Sequence, residues 1–441
     1  MPTMRSLSSY LCLFFLIISG FCGIHQVYGQ IRLAPSLFEE VGMDSVMLVA
    51  GLDSIVKEGI NQQAFPGCQV LVARKGRVVF QKAYGFHTYD SLRRVKLSDV
   101  YDLASVTKIT GPLPILMKLH GEGKLDLEAG MGTYWPQLKG SNKENLPLRN
   151  VLAHDAGLIP YLVFWAETVN RKQKLRPKYW RREYSAKFPV KVYENLWLSQ
   201  KYKDKLMYKL IKKSDVAEEK TYRYSGLSFL IYPDLIQRIT AVPYEQYLQD
   251  SIFQPLGVSR IGYNPLSFSK KADIVPTEMD TYFRNDLVQG YVHDEAAAML
   301  GGVSGNAGLF ANAESLARLL QLYLDEGSVN GNSLISPWSI REFSRYQFPE
   351  RGNRRGLGFD KPLLEEPEKG YAATDASPES YGHSGFTGTF VWIDPTYELV
   401  FVFLSNRVYP SRENRRLYNL SIRPSLHQQV YKAIQVEDTT K

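Results

Sequence analysis

Cysteine is nearly absent from this chain. Cys12 and Cys22 fall within the first 29 residues, so a chain that loses its leader keeps Cys68 alone and forms no internal disulfide. Cys68 lies in the apolar run 68–73 and reads as a buried structural thiol rather than a nucleophile. Beyond the leader no stretch is long and apolar enough to span a bilayer. No His/Cys/Asp/Glu group has metal-ligand spacing and no glycine-rich phosphate loop occurs, so neither a metal nor another cofactor is expected. The Gly-x-Ser-x-Gly nucleophile elbow is also missing: Gly382-His-Ser384-Gly385 and Gly302-Val-Ser304-Gly305 have the wrong spacing. Internal repeats, heptads and low-complexity tracts are absent as well.

What is present fits a soluble globular protein. An apolar fraction of 44% and a charged fraction of 22% are ordinary. The 441 residues allow one large domain or two lobes around a shared cleft. Residues 1–29 read as a secretory leader, with Arg5 in the basic region, a short apolar run at 11–18, and Val27-Tyr28-Gly29 before a cleavage point at Gln30. Phe21 is a poor neighbour for lipidation of Cys22, so cleavage is favoured over a lipid anchor. The expected location is outside a bacterial cytoplasm, periplasmic or secreted.

The net charge is +8, and its source is local. Residues 171–213 carry fifteen Lys and Arg, from Arg171 and Lys172 to Lys212 and Lys213, with Tyr179, Trp180, Tyr184 and Trp197 interleaved. Basic, aromatic-rich stretches can bind nucleic acid. In an exported chain the expected neighbours are instead an anionic cell-wall polymer, a membrane surface or solvent, and no nucleic-acid partner is expected.

Periodicity lays out the elements. Leu48, Leu52, Ile55, Val56 and Ile60 predict an amphipathic helix over 44–60. Strands are expected at 68–73 and 78–86 around the Lys75-Gly76 turn. Gly111, Pro112 and Pro114 predict a break in the helix that begins near Ser105. Residues 194–213, 225–239 and 244–253 look helical, and 313–326 is a strong helix with Leu316, Leu319, Leu320, Tyr323 and Leu324 in phase. A hairpin is expected from 388–393 and 399–404 about Asp394-Pro395, then a last helix over 425–435. The two ends can therefore share one antiparallel sheet, with the terminal helices on one face and the helical middle beside it. The sheet lobe would comprise about 44–100 and 350–435, the helical lobe about 101–349, and the cleft would lie between them.

Three stretches carry candidate chemistry. In Tyr101-Asp-Leu-Ala-Ser105-Val-Thr-Lys108, helical spacing puts Ser105 and Lys108 on one face, one turn apart. A serine hydroxyl needs a base to become a nucleophile, and a lysine can be that base or tune another one. The pattern alone is not specific, because Ser54/Lys57 and Ser267/Lys270 also fit it. Tyr222-Arg-Tyr224-Ser-Gly226 offers a tyrosine that cations could turn into a general base, one of 28 tyrosines in the chain. Tyr381-Gly-His383-Ser384-Gly385-Phe386-Thr387-Gly388 leads into a strand and offers a histidine beside a flexible backbone. His154 and His293 read as structural, hydrogen-bonding loop backbone.

These three stretches, in this order, resemble the penicillin-recognising serine hydrolases, in particular the class C β-lactamase, DD-peptidase and esterase branch (S12 peptidase type). Pro66-Gly-Cys-Gln-Val, Val151-Leu-Ala-His154-Asp-Ala-Gly157-Leu, Val292-His-Asp294 and Gly305-Asn-Ala-Gly-Leu-Phe310 extend the resemblance over most of the mature chain. It implies an α+β fold of the β-lactamase/transpeptidase type, with an antiparallel sheet flanked by helices, a mostly helical lobe and the active site in the cleft between them. It implies Ser105 as the nucleophile that forms an acyl-enzyme, Lys108 assisting its deprotonation, Tyr224 as partner base and acid, and His383 in the place where many relatives have lysine. The backbone N–H groups of Ser105 and Phe386 would form the oxyanion hole, and Gly226, Ser384, Gly385 and Thr387 would contact substrate.

Two departures shape the expectation. The motif usually written Tyr-x-Asn is Tyr224-Ser-Gly226 here, and His383 replaces the lysine that would hold a substrate carboxylate. Both point away from an efficient β-lactamase. The expected activity is that of a monomeric exported serine hydrolase on small-molecule or peptidoglycan-derived substrates, a D-alanyl carboxypeptidase, aminopeptidase or esterase. The alternative is a catalytically poor peptidoglycan- or β-lactam-binding protein on the same fold.

Overall fold

Each end of the chain supplies half of a six-stranded sheet. The computed structural model describes residues 33–435 apart from 173, so the leader lies outside the described residues. The strands are β1 (Ala34–Pro35), β2 (Gly67–Arg74), β3 (Arg77–Gly85), β4 (Tyr381–Ser384), β5 (Phe390–Asp394) and β6 (Leu399–Ser405). Their spatial order is β1-β3-β2-β6-β5-β4. All neighbours run antiparallel except the two-residue β1 beside β3. Lys75 and Gly76 both take positive φ, the geometry a two-residue hairpin loop demands between β2 and β3.

β2 and β6 read as continuous apolar runs because both faces of the sheet are covered. Alternation sorts their side chains. Val70, Val72, Phe401 and Phe403 join one core with Leu48, Leu52 and Val56 of α1 (Ser45–Asn61) and Leu426 and Val430 of the last helix. Leu71, Ala73, Val400 and Val402 face the other way. They pack with α2 (Pro112–Gly121) and α3 (Ala313–Leu324) in the core shared with the helical middle. The last helix, α4 (Ile422–Lys432), starts three residues earlier than the sequence spacing suggests. Asp44 and Asn312 cap α1 and α3 by accepting from Met47 N and Ser315 N.

The expected single helix over 194–213 is corrected. Leu196–Leu198 is a strand between Trp180–Arg181 and Val190–Tyr193, and only Lys203–Met207 and Tyr208–Lys213 are helical. Leu196 and Leu198 are buried on either side of a half-buried Trp197, a period of two within a window too short to separate from helix. The exposed basic side chains of 171–213 stand on that small sheet, its flanking turns and the two helical pieces. Among the described residues no helix is long and apolar enough to cross a membrane.

Candidate active site

Ser105 sits at a strained junction. The two-residue strand Tyr101–Asp102 leads into a 3-10 turn, Ala104–Val106, and then one α-turn, Thr107–Thr110. Ala104 holds φ at +45°, a conformation disfavoured for a residue with a Cβ, and its N–H donates to Asp102 Oδ1 at 2.8 Å. The other Asp102 oxygen accepts from His293 N at 2.7 Å. Gly111 then breaks the helix where an added Cβ would meet the hydroxyls of Tyr244 and Tyr263 at 2.8 Å, and α2 runs on into the core.

Ser105 and Lys108 face each other as their spacing predicts. Lys108 Nζ donates to Ser105 Oγ at 3.0 Å and to the Asn306 carbonyl at 3.0 Å. The lysine is 2% exposed, and no carboxylate pairs with it among the described residues. Its Nζ also lies 5.3 Å from the centre of the Tyr224 ring.

Tyr224 stands between two histidines, with ring centres 4.6 Å from His154 and 6.0 Å from His383. Its Oη is buried without a hydrogen-bond partner among the described residues. His154 Nδ1 accepts from Ser225 N at 3.2 Å, which fixes the turn that carries Tyr224. His383 Nδ1 lies 2.8 Å from the Ser384 carbonyl. A carbonyl oxygen only accepts, so Nδ1 carries the proton and Nε2 presents a lone pair. Burial first, then the charges of Arg355 and Lys108, hold both imidazoles well below the usual histidine range. His383 is therefore neutral and brings no fixed charge to the site.

Ser105, Tyr224, His383, Ser384, Gly385 and Phe386 line one cavity of about 500 Å³. Two residues singled out from the sequence stand elsewhere. Thr387 is buried, and its hydroxyl turns from the cavity to donate to the Asp102 carbonyl at 2.7 Å. Gly226 lines a neighbouring cavity of about 280 Å³ with Tyr161, Trp165, Tyr282 and Asn306, because its N–H is drawn to the Pro160 carbonyl at 3.0 Å. His293 pairs through Nε2 with Glu278 at 2.7 Å.

Sequence reasoning missed the arginines. Arg354, Arg355 and Arg423 line the Ser105 cavity together with Asp360, Tyr222 and Tyr418. Arg354 and Arg355 share the single carboxylate of Asp360, at 2.8 and 3.3 Å. The Arg355 guanidinium carbon lies 5.6 Å from the Tyr224 ring centre. No local motif marks these residues; they reach the cavity from a loop and from α4, far from Ser105 in sequence. Thr389 was missed too: its hydroxyl donates to the Leu103 carbonyl at 2.9 Å, a second tie between the β4–β5 turn and the Ser105 segment. Among the described residues no group of three or more His, Cys, Asp or Glu could hold a metal ion. Cys68 is fully buried, and burial pushes its thiol well up.

The sequence profile of the family described as Beta-lactamase matches residues 52–422. A protein of Salmonella heidelberg (strain SL476) named "Putative D-alanyl-D-alanine carboxypeptidase" is 30% identical over 410 residues, covering 86% of this chain and 87% of its own. A penicillin-binding protein homolog from Caulobacter crescentus has a similar structure, with a TM-score of 0.62 at 16% identity, covering 89% of this chain and 98% of that one. A class C beta-lactamase matches with a TM-score of 0.62 at 13% identity, covering 89% and 97%. At such identities these two structures speak to the fold alone, and the fold is theirs.

Proposed function

The chain belongs to the beta-lactamase family and is a serine hydrolase of it, and from that premise we propose that it works through an acyl-enzyme on Ser105. The observation that carries this reading is the 3.0 Å contact of Lys108 Nζ with Ser105 Oγ, in a cavity that Tyr224 shares. Tyr224 takes the hydroxyl proton, assisted by Lys108 beside it, as Ser105 Oγ attacks a carbonyl carbon. The negative charge that develops on the carbonyl oxygen is met by the N–H groups of Ser105 and Phe386. Tyr224 returns the proton to the departing amine or alcohol. A water molecule then releases the acyl group, and its proton restores Ser105.

A relative's name and the make-up of the site together support a reading of the substrate class. Peptides of the D-alanyl type are favoured by the name of the Salmonella relative, and esters by the plain Ser-Lys-Tyr chemistry. β-Lactam turnover ranks below both. His383 is neutral, and Gly226 supplies no amide to an acyl side chain. Ser384 and Gly385 would contact substrate along the β4 edge. An inactive binder is the second reading, favoured by Gly226 alone. Hydrolysis of a D-Ala-D-Ala peptide and of a p-nitrophenyl ester by the wild type and by Ser105→Ala tests the choice: turnover lost in the variant supports the enzyme, and no turnover by the wild type supports the binder.

The leader at 1–29 supports export, and the mature chain is proposed to act as one hydrolase domain and as a monomer. The exposed basic side chains between Arg171 and Lys213 suit contact with an anionic cell-wall polymer or membrane surface.

A further inference from the structure

The turn that follows β4 is held at one carbonyl by an unusual donor. Gly385 N–H donates to the Thr389 carbonyl at 2.8 Å, and Gly388 N–H donates to the Gly385 carbonyl at 3.1 Å. The same Gly385 carbonyl accepts a second bond, from Arg423 Nη2 at 2.5 Å. Arg423 stands in the first turn of α4, where the free N–H groups of the helix end repel a cation. It is 5% exposed, and no carboxylate lies within ion-pair reach among the described residues. Its Nε is buried without a partner there. Burial pulls its pKa down to about 10, which leaves it charged at neutral pH. A buried guanidinium that lies 5.4 Å over the Tyr418 ring but has no carboxylate partner, at the unfavourable end of a helix, breaks local rules that most of the chain obeys, and such sites mark function.

The peptide link between Gly385 and Phe386 tells what that charge can do. Among the described residues the one cis peptide is Tyr409–Pro410, so this link is trans and planar. The Phe386 N–H therefore points opposite to the Gly385 carbonyl, away from Arg423. It has no acceptor among the described residues. A cation on the carbonyl oxygen draws electron density through the amide from nitrogen to oxygen, which makes the N–H at the other end a stronger donor. Charge-assisted bonds are also the stiffer ones, so the same contact fixes the direction of the peptide plane. Arg407 repeats the device one residue on, where its Nε donates to the Phe386 carbonyl at 2.8 Å.

We propose that Arg423 is a positioning residue that polarises and aims the Phe386 N–H as the oxyanion donor for chemistry at Ser105. The inference rests on the acyl-enzyme reading, since an oxyanion forms only if Ser105 attacks a carbonyl. It adds a residue outside the three motifs, one that lines the Ser105 cavity and acts on the oxyanion through the Gly385–Phe386 peptide.

The test compares Arg423→Met and Arg423→Lys with the wild type on a neutral p-nitrophenyl ester, alongside inhibition by a phenylboronic acid. The boronate adds the Ser105 oxygen at boron and places a boron-bound oxygen where the oxyanion sits. In Arg423→Met, kcat falls about tenfold or more, the size of a weakened oxyanion donor, while KM stays within about twofold. The boronate inhibition constant rises by the same factor as kcat/KM falls. Arg423→Lys keeps a charge and recovers part of both effects. The inference is overturned if Arg423→Met keeps the wild-type kcat, or if KM rises while kcat and boronate affinity hold, which would make Arg423 a substrate contact. Should the Met variant not fold, Arg423→Lys carries the test alone, with the same proportional loss of kcat/KM and boronate affinity required. Ser105→Ala separates the two claims. Turnover surviving in Ser105→Ala sinks the acyl-enzyme reading, whereas a dead Ser105→Ala beside a fully active Arg423→Met sinks this inference alone.

Discussion

Arg355 holds its guanidinium carbon 5.6 Å from the centre of the Tyr224 ring, and through that ring it faces two histidines that are neutral. Relatives with lysine in place of His383 carry a fixed charge on β4. Here the fixed charges beside Tyr224 are Lys108 and Arg355. After burial, Arg355 is the largest cause of the lowered histidine pKa values. In Arg355→Met, His383 and His154 should therefore titrate at higher pH than in the wild type, though still below exposed histidine, because burial persists. NMR titration of the imidazole protons reads this directly. Unmoved midpoints would show that Arg355 does not set the field in the cavity.

Acid stability follows from the same burial. His154, His383 and His427 are buried and neutral, and burial alone brings His427 down to about 3. A group whose folded pKa lies below its unfolded value binds more protons when unfolded, so stability rises with pH. The contribution is complete above the unfolded histidine value of 6.5 and is lost as pH falls towards the folded values. Each such histidine costs about 1.4 kcal/mol per pH unit in that window. Glu278, held at about 2 against an ordinary 4.5, keeps its full stabilising share above 4.5 and loses it only as pH falls from there towards 2. Urea unfolding between pH 6.5 and 5 should lose stability, and His427→Gln, which keeps an acceptor for Ala373 N, should flatten the slope. An unchanged slope in that variant would contradict the assignment.

Thr387 links the two ends of the chain at the site, through its 2.7 Å bond to the Asp102 carbonyl. Thr387→Val leaves a buried carbonyl short of a donor, a loss of about 1–3 kcal/mol. Denaturant unfolding should show that loss, and kcat should fall with it, since Ser105 follows three residues after Asp102. Wild-type stability in the variant would mean the tie is not energetically significant.

Gly226 leaves room that a side chain could fill. A Cβ placed there meets no atom within 4 Å. Gly226→Asn should fold with stability within about 0.5 kcal/mol of the wild type. By restoring the amide of the related motif, it should also speed acylation by a penicillin, measured as the rate of covalent labelling. Slower labelling would show that this cavity takes no part in acyl recognition.

The core of this fold was legible because its strands and helices run long enough for their period to show. α1, α3 and the β2–β3 and β5–β6 hairpins fall within a few residues of their expected places. Ser105, Lys108, Tyr224 and His383 could be singled out because each sits in a short local pattern, and their order carried the family resemblance. Leu196–Leu198 could not be told from helix, since three residues fix no period. Thr387 was assigned to substrate because motif position does not say which side of a turn a hydroxyl faces; hydrogen bonding to Asp102 decides that. Arg355 and Arg423 were invisible for a different reason. They act through the Tyr224 ring and the Gly385 carbonyl, and neither contact leaves a mark in nearby sequence.

The central claim is that Ser105 forms a covalent acyl-enzyme with the help of Lys108 and Tyr224. Intact-mass spectrometry of the mature protein, exposed to a penicillin and separately to a p-nitrophenyl ester, tests it most directly beside Ser105→Ala. The account predicts an added acyl mass or ester turnover in the wild type and neither in the variant. An adduct or turnover that persists unchanged in Ser105→Ala would contradict it.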